Sequence, residues 1–156
     1  MNNFENQSHN SPRRTLVLGG TGKTGRRIIA GLEERNVPIR IGSRSASPSF
    51  DWNNEAGWNA CLKDVEAAYI NYAPDLAMPG ATDSIQAFVD RAKDRGVRRM
   101  VLLSGRGEEG AQLAEQKVKD SGADYTLVRC AFFNQNFSEA FAETIQHGVL
   151  AMPGGD

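Results

Sequence analysis

Three glycines stand at three-residue spacing in Gly19-Gly20-Thr21-Gly22-Lys23-Thr24-Gly25. A short apolar, β-branched run, Thr15-Leu16-Val17-Leu18, precedes them, and a segment of helical periodicity follows. That order predicts a strand, a tight turn and a helix. Residues without side chains let a pyrophosphate come close to the backbone. The helix then offers free N–H groups and the positive end of its dipole. The pattern is not a Walker loop, because Val17 stands where the first glycine of GxxxxGK would be. A second element of the same chemistry follows the next strand, in Ile41-Gly42-Ser43-Arg44-Ser45. An NAD site places an acid about 20 residues beyond the glycines to hold the ribose hydroxyls. Here there is no acid. Arg44, with the hydroxyls of Ser43 and Ser45, suits a 2′-phosphate, and Lys23 adds charge from the first turn. The spacing therefore points to NADP(H) rather than NAD(H).

Other reactive residue types form no such constellation. Cys61 and Cys130 belong to no CxxC motif and have no histidine nearby in sequence. Neither a disulfide framework nor a metal site is expected. Cys130 reads as a small buried core thiol. His9 lies in a polar tail, and His147 lies near the end of the last expected helix, where a cation meets the dipole favourably. Arg95, Arg98 and Arg99 read as a solvated turn around Gly96 rather than a nucleic-acid patch.

The elements that must hold the glycine turn alternate along the chain. Strands are expected at 15–18, 37–41, 50–52 (weakly), 65–72, 99–104 and 124–130. Helices are expected at 26–35, 55–62, 82–95, 111–120 and 137–146. Ile85, Phe88, Val89 and Ala92 share one helical face, and Gly96 closes that helix. Alternation of this kind implies right-handed βαβ crossovers: an α/β, three-layer, doubly wound Rossmann-type sheet. Ligands of such sheets bind beyond the carboxyl ends of the strands. Four loops should gather there: 19–25, 43–45, 72–74 and 104–106.

Composition bounds the rest. The chain has 156 residues, 40% of them hydrophobic and 24% charged. One globular domain over 14–156, behind a flexible tail at 1–13, is expected. Lys plus Arg number 18 and Asp plus Glu 19, a net charge of −1. That balance argues against a nucleic-acid or membrane-surface partner. No run is long and apolar enough for a membrane span, and residues 1–14 lack a signal-peptide core. A cytoplasmic protein with reduced thiols is the expectation.

Several segments together resemble the atypical short-chain dehydrogenase/reductases of the NmrA-like type. They are Leu16–Gly25, Val101-Leu102-Leu103-Ser104-Gly105, Ala114-Glu115-Gln116, Ser121–Arg129 and Phe133-Asn134-Gln135-Asn136-Phe137-Ser138. Within that type the chain most resembles bacterial proteins similar to ergot-alkaloid (festuclavine) dehydrogenases. The resemblance runs from about Thr15 to the end. It implies an NADPH-binding Rossmann domain. Members of the group include reductases of carbonyl, quinone or iminium groups, and also non-catalytic redox sensors. By position, Gly19, Thr21, Gly22, Lys23, Thr24 and Gly25 would face the pyrophosphate, and Ser43 and Arg44 the 2′-phosphate. Asp51 and Trp52 would lie near the adenine. Tyr72, Ala73 and Pro74 would edge the ribose, and Ser104 the nicotinamide. Asn134, Asn136 and Phe137 would line the substrate side.

Two departures bear on catalysis. Short-chain dehydrogenases use Tyr-x-x-x-Lys, in which the lysine lowers the phenol pKa. Residues four before the lysines are Gly19, Asn59, Val89, Leu113 and Glu115, none of them tyrosine. Tyr125 reads as sheet packing and Lys117 as a solvated helix residue, so no catalytic residue is assigned. The chain also ends soon after the last strand, at Met152-Pro153-Gly154-Gly155-Asp156, where family members continue into a substrate lobe. A truncated Rossmann domain with an open apolar side, apt to form a homodimer, is therefore expected. Two functions remain: an NADPH-dependent reductase of a small molecule, and an NADP(H)-binding sensor that turns nothing over.

Overall fold

A computed structural model describes residues 13–150. The expected tail lies outside them except for Arg13, as do His9 and the closing 152–156. Five strands form one parallel sheet: β1 (Arg14–Leu18), β2 (Ile39–Gly42), β3 (Val65–Ile70), β4 (Arg99–Gly105) and β5 (Asp124–Cys130). Their order is β2-β1-β3-β4-β5. The chain moves outward from β1 to β2, then back across to β3, β4 and β5. Right-handed crossovers consequently place α1 (Gly25–Glu33) on one face. The same rule sets α2 (Trp58–Cys61), α3 (Ala81–Asp94) and α4 (Glu109–Lys119) on the other. The topological switch point falls between β1 and β3, beside the glycine turn.

The central strand explains the apolar run that opens the chain. Leu16, Val17 and Leu18 are 0% exposed, because β1 is covered on both faces. The main core lies under α3 and α4. Leu16, Leu18, Ile70, Met100 and Leu102 pack there against Ile85, Phe88 and Val89 of α3 and Ala111, Ala114 and Val118 of α4. The α1 face is less complete. Between α1 and the β3–β5 part of the sheet runs an apolar cleft of about 560 Å³, lined by Ile28, Leu32, Tyr69, Val101, Leu103 and Val128 among others. On β5, Tyr125 is 48% exposed and Val128 40%. Tyr125 is thus not packed into the sheet as expected: β5 is an edge strand with little covering it. Cys130 is half-buried and lines clefts instead of filling the core.

Two expected elements form differently. Residues 50–52 make no strand. Only an isolated bridge joins Asp51 to Asn54. The rings decide this. Phe50 is buried and stacks on Trp58 at 5.5 Å, and Trp52 meets Phe50 edge-on at 5.1 Å. Phe50 N donates to the Ser43 carbonyl at 2.9 Å, so the segment folds back over the end of β2 and does not extend beside it. The single helix expected at 137–146 is two short ones, α5 (Gln135–Ser138) and α6 (Ala142–Gln146). The break falls at Glu139 (φ −121°, ψ −75°), whose carboxylate is drawn to Arg26 and Arg27 of α1. Elsewhere the boundaries move by a few residues. β3 ends at Ile70, which leaves Tyr72 in the loop, and α4 begins at Glu109.

Candidate functional site: a glycine turn and the pocket beyond the strand ends

The glycine turn is built for close backbone approach. Gly19 has φ +64°, a left-handed conformation that side chains disfavour. Gly25 sits directly against Gly19 and Gly20, and a Cβ there would overlap their backbone. The turn is tied to β2, since Gly19 N donates to the Gly42 carbonyl at 2.9 Å. The loop after β2 therefore stands next to the glycines.

An anion fits this turn on three counts. Among the described residues, the amides of Thr21, Lys23 and Thr24 make no backbone hydrogen bond. The first turn of α1 holds no acid, and Thr24 at its N-cap makes no side-chain capping bond. No acid within that turn offsets the positive end of the helix dipole. Third, Tyr69 Oη donates to Thr24 Oγ1 at 3.1 Å, which leaves the Thr24 hydroxyl hydrogen free to donate elsewhere. Burial pushes the Tyr69 phenol up, so it remains protonated in this role. Lys23 Nζ donates to Asn136 Oδ1 at 2.7 Å and keeps further donors.

Beyond β2, Arg44 is exposed and Ser43 half-buried. The Ser43 and Ser45 hydroxyls stand 3.3 Å apart, and Ser49 Oγ donates to the Arg44 carbonyl at 3.1 Å. Trp52 is half-buried, with Nε1 donating to the Asn71 carbonyl at 3.1 Å and its ring 4.9 Å from that of Tyr72. Next to Trp52, Asp51 closes a turn: its carboxylate accepts from Asn53 N at 2.9 Å.

A second feature lies over the ends of β3, β4 and β5. It is a pocket of about 250 Å³ whose walls include Asn71, Tyr72, Pro74, Ser104, Phe133 and Asn136. It brings together Tyr72, Pro74, Ser104 and Asn136, residues far apart in sequence. Asn136 joins this pocket to the glycine turn through Lys23. Ala73 is exposed and does not line it. Asn134 lies on the apolar cleft, and Phe137 rests against Phe132 at 5.4 Å.

Sequence reasoning missed four residues here. Asn71 touches both Trp52 and the glycine turn, and Tyr69 braces Thr24. Glu115 is 1% exposed and accepts hydrogen bonds from Ser104 and Arg129. The Arg129 guanidinium foremost, with help from Ser104, holds the Glu115 carboxyl below the usual glutamate range against the opposing effect of burial. The only advance signal was an acid among apolar positions of α4.

Comparison with known proteins extends this picture. No family model matches the chain. It is 31% identical to prestalk A differentiation protein A of Dictyostelium discoideum, over 90% of this chain and 52% of that protein. It is 34% identical to agroclavine dehydrogenase of Claviceps fusiformis, over 79% of this chain and 48% of that enzyme. The chain thus spans about half the length of the curated relatives it matches. The ergot-alkaloid dehydrogenases among them are fungal, so these matches support no bacterial branch. In fold it is similar to a nucleoside-diphosphate-sugar epimerase from Staphylococcus aureus, with TM-score 0.74, 19% identity and coverage of 92% of this chain and 60% of that one. It is also similar to the NADPH-dependent quinone oxidoreductase of Escherichia coli, solved with NADPH. There the TM-score is 0.67 and the identity 20%, over 86% of this chain and 54% of that one. The chain has the Rossmann-type fold of these neighbours, and over about half their length its sequence is similar to the agroclavine and festuclavine dehydrogenases.

Proposed function

We propose that this chain binds NADP(H) and forms the cofactor-binding part of a reductase acting on a small carbonyl, quinone or iminium compound. One observation carries the reading: an uncapped, acid-free helix end with unbonded amides at a glycine turn, beside a loop that offers Arg44 and two serine hydroxyls. The names of its relatives support it. They include agroclavine dehydrogenase and an NAD(P)H azoreductase of Xenophilus azovorans. When bound, the nicotinamide supplies the hydride. The residues of this chain bind and orient. Thr21, Lys23 and Thr24 amides meet the pyrophosphate, and Arg44 with Ser43 meets the 2′-phosphate. Trp52 and Tyr72 offer ring faces to the adenosine half, and Ser104 stands at the nicotinamide side. Asn134, Asn136 and Phe137 belong to the substrate side.

We place residues 14–156 in one such domain. We propose the cytoplasm as its compartment, and a second copy as its partner along the open β5 side. No described helix is long and apolar enough to cross a membrane. Calorimetric titration with NADPH and NADH tests the reading. Tight NADPH and weak NADH binding is expected, and binding of neither would overturn it.

One observation favours a second reading, a sensor that binds without turnover. The pocket walls carry no lysine beside Tyr72, and the chain has no Tyr-x-x-x-Lys. Steady NADPH oxidation with a panel of quinones and iminium compounds would eliminate the sensor.

A further inference from the structure

One buried charge lies behind Ser104 of the pocket wall and has no part in the binding just described. Glu115, on the inner side of α4, is 1% exposed, and a carboxylate so buried must be paired. The parallel register sets Ser104 of β4 beside Arg129 of β5. Residues paired in register point to the same face of a sheet. Both side chains turn toward α4, and both reach Glu115. Its Oε1 accepts from Ser104 Oγ at 2.7 Å and from Arg129 Nε at 2.9 Å. Its Oε2 accepts from Arg129 Nη2 at 2.6 Å. The two-pronged guanidinium contact fixes the plane of the carboxylate.

A serine hydroxyl has one hydrogen and two lone pairs. With the hydrogen held by Glu115, Ser104 has only lone pairs left for any other neighbour. Ser104 is also part of the pocket wall. We propose that Glu115 is a positioning residue: locked by Arg129, it turns Ser104 into a hydrogen-bond acceptor toward the pocket, and the ligand group that meets Ser104 carries an N–H. A carbonyl oxygen at that point would face lone pairs and be disfavoured. The same geometry removes Ser104 as a proton donor to a reduced substrate while Glu115 is ionised.

The inference rests on the dinucleotide reading of this mouth. With the pyrophosphate at the glycine turn and the adenosine over β2, the nicotinamide half extends over the ends of β3 and β4. Ser104 lies deep, at 4% exposure, so the terminal ring and not the ribose behind it is the part that reaches in. The N–H donor of that ring is its carboxamide.

The test is calorimetric titration of the full chain with NADPH and with its 3-acetylpyridine analogue, in which a methyl group replaces the amide nitrogen. One hydrogen bond predicts about tenfold tighter binding of NADPH by the unsubstituted protein. Ser104→Ala should bring the ratio of the two affinities close to one, and Ser104→Thr should keep it. Glu115→Leu, which removes the acceptor and frees the serine hydrogen, should also lower the ratio. Arg129→Lys keeps the charge and loses the fork. It should lower the ratio part-way, and it carries the test of Glu115 if the Leu variant does not fold. A merely structural role would weaken both dinucleotides alike and leave the ratio unchanged, and that result overturns the proposal. Equal binding of the two by the unsubstituted protein also overturns it, while the cofactor reading stands. Binding of neither overturns both.

Discussion

Arg44 and Gly25 serve the same site by opposite means, one by reaching out and the other by having nothing to reach with. Arg44 is exposed, so its substitution should leave the fold intact. Arg44→Ala is expected to weaken NADPH at least tenfold, the loss of a charge-assisted contact, and to leave NADH nearly unchanged. Paired titrations check this, and equal losses would remove Arg44 from the 2′-phosphate. Gly25 is the reverse case. An added methyl group would meet backbone, which cannot rotate aside as a side chain can. Gly25→Ala should lower stability by about 1–3 kcal/mol in urea unfolding and abolish dinucleotide binding. Glu115 adds a pH dependence. Its folded pKa lies below its unfolded one, so its contribution is present above the usual glutamate value and is lost as pH falls through the lowered folded value. The stability gap between the native chain and Glu115→Gln should hold steady from about pH 7 to 5 and close below about pH 4. A gap that widened on acidification would refute the ion pair as its source.

At the scale of elements, α5 is held by what it touches. Four residues cannot sustain a helix alone. Asn136 meets Lys23, and Glu139 meets Arg26 and Arg27, so the segment is pinned across the start of α1. Glu139→Ala should speed amide hydrogen exchange over residues 133–147 while leaving the midpoint of global unfolding in place; unchanged exchange would mean that the phenylalanines do the holding. The same segment shows where sequence reading fails. Phe137, Phe141 and Ile145 recur at helical spacing, and nothing local reports that Glu139 will leave the helix for arginines more than a hundred positions away. The 50–52 segment fails for a related reason, because its rings find partners in α2 and α3. Ser104, Glu115 and Arg129 come from three different elements, and only the sheet register unites them. The strand, glycine turn and start of α1 were legible because each step depends on neighbours in sequence: an apolar run, residues without side chains, a periodic face. The loops after β2 and β3 were legible as places, through alternation of strands and helices. Asn71 was not, since its role depends on how closely two loops approach.

For the whole molecule, the sheet is filled at its centre and open at its β5 edge. The core under α3 and α4 is filled, whereas β5 ends the sheet with Tyr125 exposed on the α4 face, Val128 exposed on the α1 face and no proline in the strand. Long unprotected edges favour pairing with another chain. Sedimentation should show concentration-dependent self-association, and Val128→Lys should shift it toward monomer. A monomer at every concentration would leave the β5 side without the proposed partner. The aromatic group by the second loop has an optical consequence. The chain has two tryptophans, Trp52 and Trp58, their rings 5.7 Å apart, and Trp52 faces Tyr72 at the mouth. All indole emission therefore arises from one place, where the fold is knit and where the cofactor is proposed to lie. Reduced nicotinamide absorbs where indole emits, and the oxidised ring does not. This chain would therefore signal the redox state of its ligand by energy transfer, with no label attached.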